Sequence, residues 1–68
     1  MDNVLLGQRM RSARKAAHLS IEQAYEASGV SVSTIMRVEH GRSKCLYMST
    51  VLALCDVYGV KPSDVLND

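Results

Sequence analysis

Phenylalanine and tryptophan are absent from the 68 residues, proline occurs once and cysteine twice. No stretch of 18 consecutive apolar residues exists, so no segment reads as a membrane-spanning helix. The start, MDNVLLGQRMRSARK, places its apolar residues before its basic ones and does not read as a secretory signal. Cys45 and Cys55 form no CxxC or CxxH pattern, and neither His18 nor His40 lies at zinc-ligand spacing to them. One bridge between these two cysteines would not make the framework of a secreted mini-protein, so both read as reduced thiols of a cytoplasmic protein with no metal site. A Gly-rich phosphate loop, an HExxH helix and a GxSxG elbow are all missing. A domain this short buries only roughly 60% of its unfolded surface. That leaves little room for a substrate cleft, so an enzyme is not expected and no cofactor is implied.

What is present is enough for a core. Apolar residues make up 47% of the chain, mostly Ala, Leu and Val, which excludes a disordered tail. The formal net charge is only +1, yet the charge is unevenly spread. Residues 1–44 carry seven basic side chains against four acidic ones, whereas residues 45–68 carry one against three. A weakly charged protein can thus offer one basic face to a polyanion.

The apolar periodicity predicts an all-α chain and one domain over residues 1–68. Leu6, Met10, Ala13 and Ala17 line one stripe of a first helix, with Arg11 and Lys15 opposite and Arg9 and Arg14 at its flanks. Ser20, with Gln23 three positions on, reads as a capping box for a second helix from about Ile21 to Ser28, closed by Gly29. Ser31 is expected to cap a third helix from about Val32 to His40, closed by Gly41, with Ile35 and Val38 inward. The segment from Arg42 to Met48 reads as irregular. Ser49 is the expected cap of a fourth helix from about Thr50 to Tyr58, with Val51, Leu54, Cys55 and Tyr58 on one face and Gly59 at its end. Pro62 suits the first turn of a short fifth helix that ends in Val65 and Leu66. Five serines (Ser20, Ser31, Ser33, Ser43 and Ser49) fall where caps or turns are expected, and His18 and His40 lie near helix ends, where a cation is favoured.

Helices two and three, joined by a tight turn at Gly29–Val30–Ser31, make a helix-turn-helix unit over about 21–40. On the outward side of the third helix, Arg37 can donate two bonds to guanine, Ser33 can donate or accept, and Val32 can pack on a thymine methyl.

Three segments carry a wider likeness: LGQRMRSARKAAHLS, GVSVSTIMRVEHGR and VLALCDVYGVKPSDVL. In this order and spacing, from Leu6 to Leu66, the chain resembles the Cro/repressor-type (XRE) helix-turn-helix family, which includes phage repressors and restriction–modification controllers. The resemblance implies a compact bundle of five short helices, the lambda-repressor-like fold. It also implies operator binding to double-stranded DNA through the major groove, commonly as a symmetric dimer on a palindromic site, to regulate transcription. By the same resemblance, Val32, Ser33 and Arg37 correspond to positions that meet bases. Ser20, Ile21, His40, Arg42 and Lys44 correspond to positions that meet phosphates. Arg14 corresponds to one half of an ion pair with Glu39, which would hold its guanidinium toward the DNA backbone.

Three departures stand out. Ile21 replaces a usual Gln, removing one polar phosphate contact. Tyr25 stands where a small Ala is usual, a crowding that Ala24 relieves if helix two turns it inward. Ser28 replaces an apolar residue. The apolar residues Val57, Val60, Val65 and Leu66 are the expected dimer interface, since some must lie outside so small a core. The other function consistent with the fold is a protein-interaction module, such as an antitoxin or adaptor.

Overall fold

A computed structural model describes residues 3–42 and 46–66. It holds five helices: α1 (Asn3–Ala16), α2 (Ile21–Ser28), α3 (Val32–Glu39), α4 (Met48–Tyr58) and α5 (Pro62–Leu66). Among the described residues there is no strand. Ser43, Lys44 and Cys45 lie outside them, so the expected turn serine, phosphate contact and thiol at those positions have no structural account here.

Helix boundaries follow local chemistry where side chains cap them. The Gln23 amide donates to Ser20 Oγ at 3.1 Å, and the Ser20 amide donates to Gln23 Oε1 at 2.8 Å, closing the expected box. The Ser31 hydroxyl accepts from the Thr34 amide at 3.3 Å, and Pro62 opens α5. In the last element, the Asp64 carboxylate accepts from the Lys61 amide at 3.0 Å, satisfying a donor that α5 leaves unpaired.

The start of α4 differs from expectation. The helix begins at Met48, with Tyr47 as cap residue and no side-chain cap bond, so Ser49 lies inside the first turn. The Tyr47 carbonyl accepts from the Thr50 and Val51 amides, which starts the helical ladder two residues earlier than the serine suggested. At the other end of α1, Ala17 falls just beyond the helix and still packs against the core.

Three helices end with the same pair of backbone bonds. At the end of α3 the Gly41 amide donates to the Val38 carbonyl at 3.1 Å and the Arg42 amide to the Arg37 carbonyl at 2.9 Å. This is the Schellman arrangement, and it puts Gly41 at φ 68°. The end of α4 repeats it around Gly59, and the end of α1 repeats it around His18. His18 therefore holds φ 60° with a side chain attached, a conformation that costs an L-residue roughly 1–2 kcal/mol. Replacing it with glycine is expected to raise the unfolding free energy by about 0.5–1 kcal/mol, after the extra freedom glycine gives the unfolded chain. Urea titration checks this; a midpoint that falls would show that the imidazole compensates its own strain.

The core contains Leu6, Met10 and Ala13 from α1, Ala24 from α2, Ile35 and Val38 from α3, Val51, Leu54, Cys55 and Tyr58 from α4, and Val65 from α5. Helix α1 packs mainly on α3 and also touches α4 and α5, while α2 rests on α3 and α4. Arg9 Nη1 donates to the Val65 carbonyl at 3.3 Å and ties the first helix to the last. Ala24 is fully buried and Tyr25 is 47% exposed, so α2 does turn its small residue inward and its aromatic outward. Ser28, in place of an apolar residue, satisfies the helix end itself: its hydroxyl donates to the Ala24 carbonyl at 2.6 Å and accepts from the Val30 amide at 3.0 Å. The buried Cys55 is a free thiol; burial, and then Asp64, push its pKa upward. Of the expected dimer residues, Val65 is corrected: at 2% exposure it fills the core of its own chain. Val57, Val60 and Leu66 pack against that core and keep part of their surface.

Candidate nucleic-acid interface

Helix α3 has a dry side and a wet side. Ile35 and Val38 are buried, which fixes its rotation about its own axis. The opposite side then presents Ser33, Met36, Arg37 and His40, spaced i, i+3, i+4, i+7, and all four are exposed. Together with Arg42 they line an open depression of about 340 Å³. The Arg37 and Arg42 guanidinium groups take no protein partner among the described residues. Val32, at the start of α3, is half-buried. Ser33 Oγ lies 3.4 Å from Ser31 Oγ, and Ser31 donates to Thr34 Oγ1 at 2.8 Å, so the first turn of α3 is tied to its cap.

Arg42 owes its place to the backbone. Its amide is bonded to the Arg37 carbonyl, which folds the chain back at the end of α3. His40, the C-cap of α3, stands between this depression and a smaller one of about 110 Å³ lined by Arg11, Arg14, Ile21, Glu39 and His40. Arg11 was assigned no role by sequence reasoning, which placed it only on the side of α1 away from the core. Its approach to His40 across two helices has no local sequence signal.

The pair of Arg14 and Glu39 forms the floor of the smaller depression. Arg14 Nε donates to Glu39 Oε2 at 2.7 Å and Nη2 to Oε1 at 3.0 Å, a two-pronged contact. Arg14 Nη1 also donates to the Leu19 carbonyl at 2.8 Å. One guanidinium thus joins the end of α1, the corner before α2 and the end of α3. The hydrogen bond to Glu39 outweighs burial and holds the guanidinium pKa above the usual arginine value. Below the pair, burial and then the charge of Glu39 push the Tyr58 phenol up to about 12, with Arg14 pulling the other way. Arg14 is only 8% exposed and three of its five N–H donors are engaged within the protein, so the structure supports the ion pair and leaves little of the side chain for the expected phosphate contact. It ties these three segments together.

Ser20 and Ile21 stand at the start of α2, where backbone N–H groups favour an anion. Ser20 is exposed, with its oxygen engaged in the cap and its O–H able to donate outward. Ile21 is half-buried against the core.

A helix-turn-helix domain family matches residues 5–67 of this chain. The chain belongs to that family. Its α2–turn–α3 unit spans residues 21 to 39. The structure is also similar to the crystal structure of the restriction-modification controller protein C.AhdI from Aeromonas hydrophila. The TM-score is 0.88 and the sequence identity 31%, over 96% of this chain and 97% of that one. No curated protein sequence gives a significant match. Among the described residues, no helix of the domain is long and apolar enough to cross a membrane. No group of His, Cys, Asp or Glu among them is placed to hold a metal ion.

Proposed function

We propose that this helix-turn-helix domain is a cytoplasmic DNA-binding transcriptional regulator, a repressor or controller, that reads an operator through the major groove with α3. One observation carries the reading: the wet side of α3 offers Arg37 beside Ser33, flanked by His40 and Arg42, with neither guanidinium paired among the described residues. An α-helix with its side chains is about 10–12 Å across, which fits a major groove about 12 Å wide. Arg37 and Ser33, with Val32 at the N-terminal end, meet base edges. Ser20, His40, Arg42 and Lys44 meet phosphates, and Arg11 joins them through its place beside His40.

Affinity comes first from counterion release at the phosphates, which is salt-dependent and nearly blind to sequence. Specificity comes from the few base edges within reach of α3. One module of this size touches few base pairs, so two copies act together on half-sites about 34 Å apart. Val57, Val60 and Leu66 keep surface for that pairing. Met48 and Leu52, one turn apart on α4 and 52% and 45% exposed, add apolar surface.

Selection of bound sequences from a random duplex pool tests the reading; a palindromic consensus is expected. Unselective recovery of the pool, or none, would favour the protein-interaction module instead. On the selected site, Arg37→Ala is expected to cost roughly 1–3 kcal/mol and to relax preference at one base pair. Arg42→Ala is expected to weaken all sequences alike and to reduce the salt slope by about one. Equal losses for Arg37→Ala on specific and random DNA would move that residue to the phosphate contacts, and an unchanged slope would remove Arg42 from them.

A further inference from the structure

Met36 has no part in the reading so far. It is 43% exposed and lines the depression on the wet side of α3 with Ser33, Arg37, His40 and Arg42. On a helix of eight residues, this places the one large apolar side chain of the outward stripe among groups that donate hydrogen bonds. Among the described residues, no carboxylate lines the depression. Glu39, the acidic residue of α3, is turned away and held by Arg14. The surface therefore combines positive charge at its edges with an apolar, conformationally adaptable thioether within it.

Duplex DNA offers a matching feature. Its major groove is polar except where a pyrimidine carries a methyl group at C5, as thymine does and as cytosine does after C5 methylation. Val32, the apolar residue that sequence pattern suggests for such a contact, is half-buried at the start of α3, whereas Met36 extends outward. Met36 and Arg37 are both exposed and line the same depression, so the two side chains can reach neighbouring bases.

We propose that Met36 is a specificity-determining residue that packs on the C5-methyl group of a pyrimidine in the major groove, next to the base edge read by Arg37. The proposal rests on the DNA-reading function assigned above. It makes the operator preference depend on a methyl group and not only on hydrogen bonds.

Chemical editing of the DNA isolates the methyl. In the duplex selected by the wild-type protein, each thymine of a half-site is replaced in turn by uracil, which keeps every hydrogen-bonding group. At one position the wild-type protein is expected to lose about fourfold in affinity, the effect of one buried methyl. Met36→Ala should show no loss there, and Met36→Leu should keep it. The same position is then tested with a C·G pair, unmethylated and methylated at C5. Tighter binding to the methylated pair is expected, and the ratio to the thymine duplex tells which methylated pyrimidine is preferred. Indifference of the wild-type protein to every uracil and to C5 methylation overturns the proposal. So does a uracil penalty that persists in Met36→Ala, which would hand the methyl to Val32. In both cases selective binding by the wild-type protein survives; its complete absence would instead sink the DNA-reading function itself.

Discussion

Glu39→Ala is expected to destabilise the fold by about 3–5 kcal/mol, the cost of leaving one partner of a buried ion pair without its counter-charge. A 68-residue domain has only roughly 3–10 kcal/mol of stability in total, so much of the protein should be unfolded or loosely packed in the absence of DNA. The Glu39 side chain is 5% exposed and that of Arg14 is 10% exposed, so water cannot readily replace the lost carboxylate. The stranded guanidinium would keep its bond to the Leu19 carbonyl and lose the two to Glu39. Chemical denaturation followed by circular dichroism measures the change. The double variant Arg14→Met with Glu39→Leu removes both charges and should recover most of the loss, because an apolar pair of similar size has no desolvation penalty to offset. A single variant as stable as wild type would show that the pair contributes nothing net. A double variant as unstable as the single would show that geometry, not desolvation, is what the pair supplies.

Gly7→Ala is the second large effect. Gly7 sits where α1 crosses the end of α3, and a Cβ at that position would lie 2.4 Å from the Val38 carbonyl oxygen and 2.6 Å from that of Glu39. Both neighbours are main chain in the last turn of α3, so no side chain can rotate away. The helices must separate by several tenths of an ångström or more. Overpacking of this kind costs about 1–3 kcal/mol, and here a helix axis has to move. The separation also displaces Arg37, which the same part of α3 carries, and Arg42, whose amide is bonded to the Arg37 carbonyl. Operator affinity should therefore fall even under conditions where the variant is fully folded. Full affinity in a folded Gly7→Ala protein would show that the α1–α3 distance does not set the position of the reading face.

Much of the fold was legible because its signals are local. The capping box at Ser20 and Gln23, the cap at Ser31, the turn at Gly29 and the inward pair Ile35 and Val38 each depend on residues within one or two turns. The partnership of Arg14 with Glu39 spans 25 positions, and only the family resemblance pointed to it. What stayed hidden depends on contacts between distant segments. Nothing near Gly7 in the sequence says that α3 carbonyls approach it. Nothing near Arg9 says that it bonds Val65, 56 positions away. The burial of Val65 follows from that docking of α5 onto α1 and α4, and periodicity in a five-residue helix is too short to reveal it. Ser49 misled because a polar residue at the start of an apolar run resembles a cap, whereas the Tyr47 carbonyl was already in place to begin the ladder. Met36 follows the inward Ile35 and so falls off the dry side of its helix. Its company in the depression became visible only once Arg42 was folded back beside it.

That fold-back has an evolutionary reading. The Arg42 amide is anchored by the main-chain carbonyl of residue 37, an atom that every amino acid possesses. Under the proposed function, substitutions at position 37 would alter which base is preferred while the neighbouring cation keeps its place. A duplicated copy of this protein could drift toward a new target sequence by single steps, without first losing its hold on DNA.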